Sequence, residues 1–180
     1  MISIWWVRRD LRLFDNPALQ AAIKYGDVLP LYILDPYLLE RSSIKRRNFL
    51  FAGLKELNTQ LKNIGSGLII CNGMPDLIFS HIQQGNRGVR VFAEEDYSSY
   101  ARKRDIKVSG IVPLELIHGQ TVIHPLLIHK QDGTPYTVFT PFSKNWKMNL
   151  PQDLEPIPAP DYLAPLPGLT GGMINENVLS

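Results

Sequence analysis

Three clusters of charged and aromatic side chains each follow a short apolar run: Arg8-Arg9-Asp10 after Ile2 to Val7, Asp35-Pro36 after Val28 to Leu34, and Glu94-Glu95-Asp96-Tyr97 after Val89 to Ala93. If those runs are parallel strands, the clusters share one rim, beyond the carboxyl ends where open parallel sheets bind ligands. Charged and aromatic groups at that rim, Tyr97 and Tyr100 among them, are candidate ligand contacts. Arg46 and the neighbouring Arg47 add cations at a helix start. This is binding chemistry, since no Ser-His-Asp set can be assembled from the spacing. Each feature also has a plainer reading. Arg46 and Arg47 could form a solvated helix face, the two tyrosines could close a core edge, and Arg8, Arg9, Asp10 and Arg12 could be rim ion pairs.

Some chemistries are excluded by missing patterns. No Gly-x-Gly-x-x-Gly follows the first apolar run, and no Gly-x-x-x-x-Gly-Lys-Ser/Thr occurs, so the glycine loops that cradle phosphates are lacking. Gly65-Ser66-Gly67 precedes a strand instead of joining strand to helix, and reads as a helix exit. Of the four histidines, His124 and His129 are closest in sequence. They fall in a loop with no carboxylate at ligand spacing, so no metal site is expected.

The elements that must position the rim follow from periodicity. Five runs, Ile2 to Val7, Val28 to Leu34, Leu68 to Cys71, Val89 to Ala93 and Ile111 to Ile117, are apolar without a polar face. That pattern belongs to parallel strands covered on both sides by helices. Asn16-Pro17 offers a cap and a first helical proline for a helix over about 17 to 25. Leu50, Leu54, Leu57, Leu61 and Ile64, at steps of three and four, define a helix that stops at Gly65. Pro75 opens a shorter helix ending near Gly85, and Ser98 or Ser99 caps one containing Tyr100 to Val108. The expected architecture is an α/β, Rossmann-like, doubly wound five-stranded parallel sheet in the order 3-2-1-4-5, with helices on both faces.

Beyond Ile117, Asp132-Gly133 signals a turn, and residues 136–142 read as a short hairpin or extended segment. Pro151, Pro156, Pro158, Pro160, Pro165 and Pro167, with Gly168, Gly171 and Gly172 behind them, make regular structure unexpected there. The division read from the sequence is one domain over 1–130 and an extended, Pro/Gly-rich interdomain linker over 131–180.

With 180 residues and 44% hydrophobic content, the chain suffices for one domain with its own core. Its 19 basic and 17 acidic residues leave a net charge of +2, so no field draws it onto DNA by itself. The single cysteine, Cys71, rules out an internal disulfide and fits a reducing, cytoplasmic setting. Met1 to Val7 runs straight into Arg8-Arg9-Asp10, the wrong order for a secretory signal and too short to span a bilayer.

The segment Trp6-Val7-Arg8-Arg9-Asp10-Leu11-Arg12-Leu13-Phe14-Asp15-Asn16-Pro17-Ala18-Leu19 resembles the opening of DNA photolyases and cryptochromes. Further matches follow in order: Leu31-Tyr32-Ile33-Leu34-Asp35-Pro36, Arg46 ahead of Phe49-Leu50, Gly73-Met74-Pro75, Tyr100-Ala101-Arg102-Lys103-Arg104-Asp105, and Tyr136 to Phe142 with Lys144 and Trp146. The likeness covers about residues 2 to 147. It implies the N-terminal domain of a two-domain flavoprotein, a deoxyribodipyrimidine photolyase, in which this domain holds an antenna pigment. The absent C-terminal helical domain would bind FAD and damaged DNA and split pyrimidine dimers with light and reduced FAD. The fragment alone would then be inactive, and no membrane is implied.

In folate-binding members of that family an Asn-Glu pair stands where this chain has Tyr100 and Ala101. The resemblance therefore favours 8-hydroxy-5-deazaflavin or FMN over methenyltetrahydrofolate as the pigment. Asp35 and Arg46 match positions that line the pigment pocket. Arg8, Pro36, Glu95, Asp96, Tyr97 and Tyr100 complete the candidate contacts, while Arg9, Asp10 and Arg12 are assigned to ordering the first loop or docking the second domain. Two other readings compete: a fragment of a cryptochrome photoreceptor, and a stand-alone nucleotide- or flavin-binding protein with a related sheet. The missing glycine phosphate loop argues against the latter.

Overall fold

The computed structural model describes residues 1–86 and 88–166. Alternation along the first strand sets up everything else. In β1 (Ile2–Val7), Ile4 and Trp6 point to one face, Trp5 and Val7 to the other, and all four are at most 2% exposed. A strand apolar on both faces needs cover on both.

The chain supplies that cover in βα units. After β1 come α1 (Pro17–Tyr25), β2 (Asp27–Leu34), α2 (Pro36–Glu40), α3 (Ile44–Asn63) and β3 (Ile69–Asn72). Then follow α4 (Pro75–Gly85), β4 (Arg90–Glu94), α5 (Ser99–Ser109) and β5 (Leu114–Ile117). All strand pairs are parallel, in the order β3-β2-β1-β4-β5. That is the order expected from the sequence. One core joins Trp6 to Phe79, Ile82 and Val108 from α4 and α5, with the Trp6 and Phe79 rings edge to face at 4.8 Å. The other joins Trp5 and Val7 to Leu19, Leu54, Leu57 and Leu61 from α1 and α3.

Helix ends obey local chemistry. Asn16 caps α1 by accepting from the Leu19 N–H at 2.9 Å, and Ser98 caps α5 by accepting from Ala101 at 3.3 Å. α3 closes on a Schellman motif: Gly65 at φ +95° donates to Lys62 O at 3.2 Å, and Ser66 donates to Leu61 O at 2.9 Å.

Three features depart from the sequence reading. β5 is an edge strand with Glu115 and Leu116 exposed, not a run covered on both faces. The short helix α2 carries the same Asx-Pro start as α1, with Asp35 accepting from the Tyr37 N–H at 3.0 Å. And where a hairpin or extended segment over 136–142 is expected, the chain turns into a helix, α6 (Phe139–Met148). The β-branched run ends at Val138. Pro141 then falls within the first helical turn, where its missing N–H breaks no helical bond.

From Pro151 to Leu166 there is no helix or strand. This segment nevertheless lies against the domain. Asp15 N–H donates to Ile157 O at 2.7 Å, Leu163 N–H donates to Ile64 O at 2.8 Å, and the Leu163 side chain enters the α1/α3 core. Pro167, Gly168, Gly171 and Gly172 lie outside the described residues.

Candidate binding site

At the carboxyl ends of β1 and β2, a cavity of about 380 Å3 opens between the α2–α3 side and the start of α5. Its size falls in the range of small-molecule sites. Apolar walls come from Trp6, Val7, Leu38, Phe49, Leu50 and Pro75, and polar groups from Arg8, Asp35, Asp96, Ser98, Tyr100 and Arg104. Phe49 is 80% exposed at this lining, a large apolar side chain that a flat ligand would cover.

Arg8 is a buried charge at this lining, 8% exposed. Its Nη1 donates to both carboxylate oxygens of Asp105, at 3.0 and 2.9 Å, and its guanidinium carbon lies 4.4 Å from the centre of the Trp6 ring. Burial, then the neighbouring Arg104, lower its pKa, while Asp105 opposes them. Its Nε and Nη2 are buried without a hydrogen-bond partner among the described residues. Two buried donors at a cavity wall suit an acceptor supplied by a ligand.

Tyr100 closes one side. Its hydroxyl donates to Asp35 Oδ2, and its ring stacks on Tyr37 at 4.6 Å and 5°. The Arg41 guanidinium carbon lies 3.7 Å from the Tyr37 ring centre, within cation–π range. Burial first, then the hydrogen bond and charge of Asp35, push the Tyr100 pKa well up, so the phenol stays neutral. Asp96 behaves oppositely. Burial raises its pKa, but the hydrogen bonds from Ser98 and the charges of Arg9 and Arg104 outweigh it, leaving it below the ordinary carboxylate value.

Of the residues expected at the site, Arg8, Asp35, Asp96 and Tyr100 share the cavity, and Arg9 reaches its edge. Pro36 instead starts α2 and does not line it. Arg46 sits exposed on the first turn of α3, also outside the lining, one turn ahead of Phe49 and Leu50, which do line it. Glu95 and Tyr97 turn to the opposite side of the β4–α5 loop, toward His124 and His118. Asp10, fully buried, accepts from Trp5 Nε1, Arg8 N–H and Asn16 Nδ2, and so ties the first loop together. Arg12 pairs with buried Glu94 at 2.9 Å.

The family model for DNA photolyase matches residues 3–161. The chain belongs to the DNA photolyase family. A deoxyribodipyrimidine photo-lyase of Synechococcus is 33% identical over 153 residues, covering 80% of this chain and 31% of that one. A Synechocystis cryptochrome structure superposes with TM-score 0.84 over 96% of this chain and 38% of its own, at 20% identity. An archaeal photolyase from Sulfolobus tokodaii, described with two FAD molecules and a novel light-harvesting cofactor, superposes at TM-score 0.73 and 25% identity over 92% of this chain and 38% of its own. The fold is that of the photolyase N-terminal α/β domain. The chain spans less than two thirds of the curated relatives it matches. Among the described residues, no helix is long and apolar enough to cross a membrane.

In this photolyase-family domain the sequence reading missed Tyr37, Arg104 and the apolar wall from Leu38 and Phe49. Arg104 stands four residues after Tyr100 on α5, a spacing that puts both on one helix face, whereas Tyr37 lies on α2, an element the sequence reading did not place. The Glu95–His118–His124 cluster was also missed. Its members are spread over 29 residues, and His129, the histidine paired with His124 by proximity in sequence, bonds to Lys130 O instead.

Proposed function

We propose that this chain is the pigment-binding domain of a light-dependent photolyase, with an 8-hydroxy-5-deazaflavin or flavin ring held in the 380 Å3 cavity. The observation that carries the reading is Arg8, whose Nε and Nη2 are buried beside an apolar slot and have no hydrogen-bond partner among the described residues. A flat tricyclic ring suits this donor set. Its carbonyl edge would accept from Arg8, its face would cover Phe49 and Leu50, and Tyr100 would bound its far side. The Sulfolobus relative's light-harvesting cofactor supports the pigment class. Ala101, 1% exposed, offers no carboxylate where the folate-binding pattern has an acidic side chain.

When bound, such a pigment absorbs light and passes the excitation on. This chain's residues bind it, orient it and keep Tyr100 neutral beside it. Splitting of pyrimidine dimers would require a second, FAD-binding domain reached through residues 131–180, which would also supply contact with damaged DNA. A cytoplasmic setting accords with the single buried cysteine. A cryptochrome parent would make the same demand on the cavity.

The test is an absorption and fluorescence titration of the chain with FMN, 8-hydroxy-5-deazaflavin and methenyltetrahydrofolate separately. Saturation at one flavin or deazaflavin per chain, with folate silent, is the expected result. Failure of all three to bind, or binding of folate alone, would overturn the reading.

A further inference from the structure

We propose a second site, distinct from the pigment cavity, in which Glu95, His118 and His124 bind one zinc-class divalent ion. The three residues come from the end of β4, the end of β5 and the loop before a 3-10 turn at Pro125–Leu127. They meet at the same rim, with one potential ligand atom from each within 4.8 Å of the others. Bonds of about 2.1 Å in tetrahedral geometry put ligand atoms about 3.4 Å apart, so the widest edge must close by up to about 1.4 Å. One edge is already shorter, with His124 Nε2 at 3.0 Å from Glu95 Oε2.

The donor set selects the ion. Two imidazoles and one carboxylate suit zinc and its transition-metal neighbours, while magnesium and calcium prefer all-oxygen shells. Three protein ligands leave a fourth position for water, and Glu95 and His124 keep 31% and 25% of their side chains exposed, which gives an ion access.

The surrounding hydrogen bonds support His118 most directly. Its Nε2 is buried without a hydrogen-bond partner among the described residues, while its Nδ1 lies 2.9 Å from the Tyr97 hydroxyl. A phenol oxygen can accept as well as donate, so Nδ1–H donating to Tyr97 frees the Nε2 lone pair for the ion. That is the outer-shell arrangement metal-bound histidines ordinarily have. His124 starts in the other tautomer. Its Nδ1 accepts from Leu126 N–H at 3.2 Å, so Nε2 holds the proton that goes to Glu95. Ligation through Nε2 moves that proton to Nδ1 and breaks the Leu126 contact, with no net proton released by the ring. The ion would clasp the β4–α5 loop from one side while Asp96 and Ser98 line the pigment cavity from the other.

The experiment titrates the chelator-treated 180-residue chain with Zn2+, read by calorimetry and by the rise in thermal midpoint. One ion per chain is expected, undisturbed by excess Mg2+. His118→Gln and His124→Gln should each weaken binding by more than the roughly 10-fold to 100-fold typical of outer-shell changes, and Tyr97→Phe by an amount within that range. His129→Gln should have no effect. Zinc should also speed hydrogen exchange at the Leu126 amide. If a histidine variant does not fold, the visible spectrum of the Co2+-loaded unmodified chain reads four-coordinate nitrogen and oxygen ligation directly. Absence of stoichiometric binding, binding indifferent to His118 and His124, or a six-coordinate cobalt spectrum would each overturn the site.

Discussion

Arg8 at the end of β1 and Asp105 within α5 form a buried ion pair across 97 residues of sequence, each side chain 5% exposed. Arg104 also lies 3.0 Å from Asp105, so one carboxylate serves two guanidinium groups that would otherwise repel. Removing it leaves buried positive charge uncompensated. Asp105→Asn is expected to lower stability by about 3–5 kcal/mol, the range for breaking buried pairs. Urea unfolding followed by circular dichroism measures this, with exposed Asp161→Asn as control. A loss below about 1 kcal/mol would place the pair with solvent-screened surface bridges instead.

Glu94 makes the domain's stability depend on pH. Its side chain is 1% exposed, Arg12 Nη2 holds one oxygen at 2.9 Å, and the other oxygen is buried without a hydrogen-bond partner among the described residues. Burial first, then the charge of Asp10, raise its pKa from 4.5 to about 7, against the pull of Arg12. A carboxyl whose folded pKa is raised binds its proton more tightly in the native state. Its contribution is full below pH 4.5 and is lost as pH rises through about 7. At about 1.36 kcal/mol per unit, the ceiling is of order 3 kcal/mol. Unfolding at about pH 5 and about pH 8 should show the wild type losing stability toward the higher pH and Glu94→Gln losing less. Parallel pH profiles for the two proteins would exclude Glu94 as the source.

Much of this fold is legible because its signals are local. The Asn16-Pro17 and Pro75 starts, the Ser98 cap and the Gly65 stop each act within a few residues. Strand runs identify themselves by lacking a polar face, and β5 misled only because edge position is a property of the whole sheet. The site was less legible. The Arg104-Asp105 pair stands in a segment resembling a pigment-contacting motif, yet its carboxylate neutralises Arg8, a partner that no spacing rule reaches. Glu95 and Tyr97 flank Asp96 in sequence but turn the other way, because neighbours in an extended segment project to opposite sides.

Arg46 and Tyr100 separate what resemblance suggests from what geometry suggests. Arg46 is exposed and off the cavity wall, whereas Tyr100 bounds it and masks Asp35. Aromatic stacking contributes about 0.5–1.5 kcal/mol, and 1.4 kcal/mol is tenfold in affinity. Tyr100→Ala is therefore expected to weaken flavin or deazaflavin binding about tenfold. Arg46→Ala should change it by less than about twofold. Fluorescence titration of both variants decides, and the reverse ranking would mean that the Arg46 side chain swings over the bound ring.

Gly65 fastens the last described segment to the helix it ends. Its φ of +95° strains any L side chain, and a Cβ there would stand 2.9 Å from the Leu163 carbonyl oxygen and 2.9 Å from Tyr162 Cε2. Gly133 is the natural comparison, with φ +77° and no atom of the described residues within 4 Å of a Cβ. Gly133→Ala therefore reports left-handed strain alone, about 1–2 kcal/mol. Gly65→Ala adds a collision with backbone that cannot retreat without breaking the 2.8 Å bond from Leu163 N–H to Ile64 O and drawing Leu163 out of the core. Its loss in urea unfolding should exceed that of Gly133→Ala by more than about 1 kcal/mol, since an exposed apolar side chain forfeits its burial. Limited proteolysis should then cut near Tyr162 sooner in Gly65→Ala than in the wild type. Equal losses for the two alanines, with unchanged cleavage, would show that the segment rests on the domain without being fastened at Gly65.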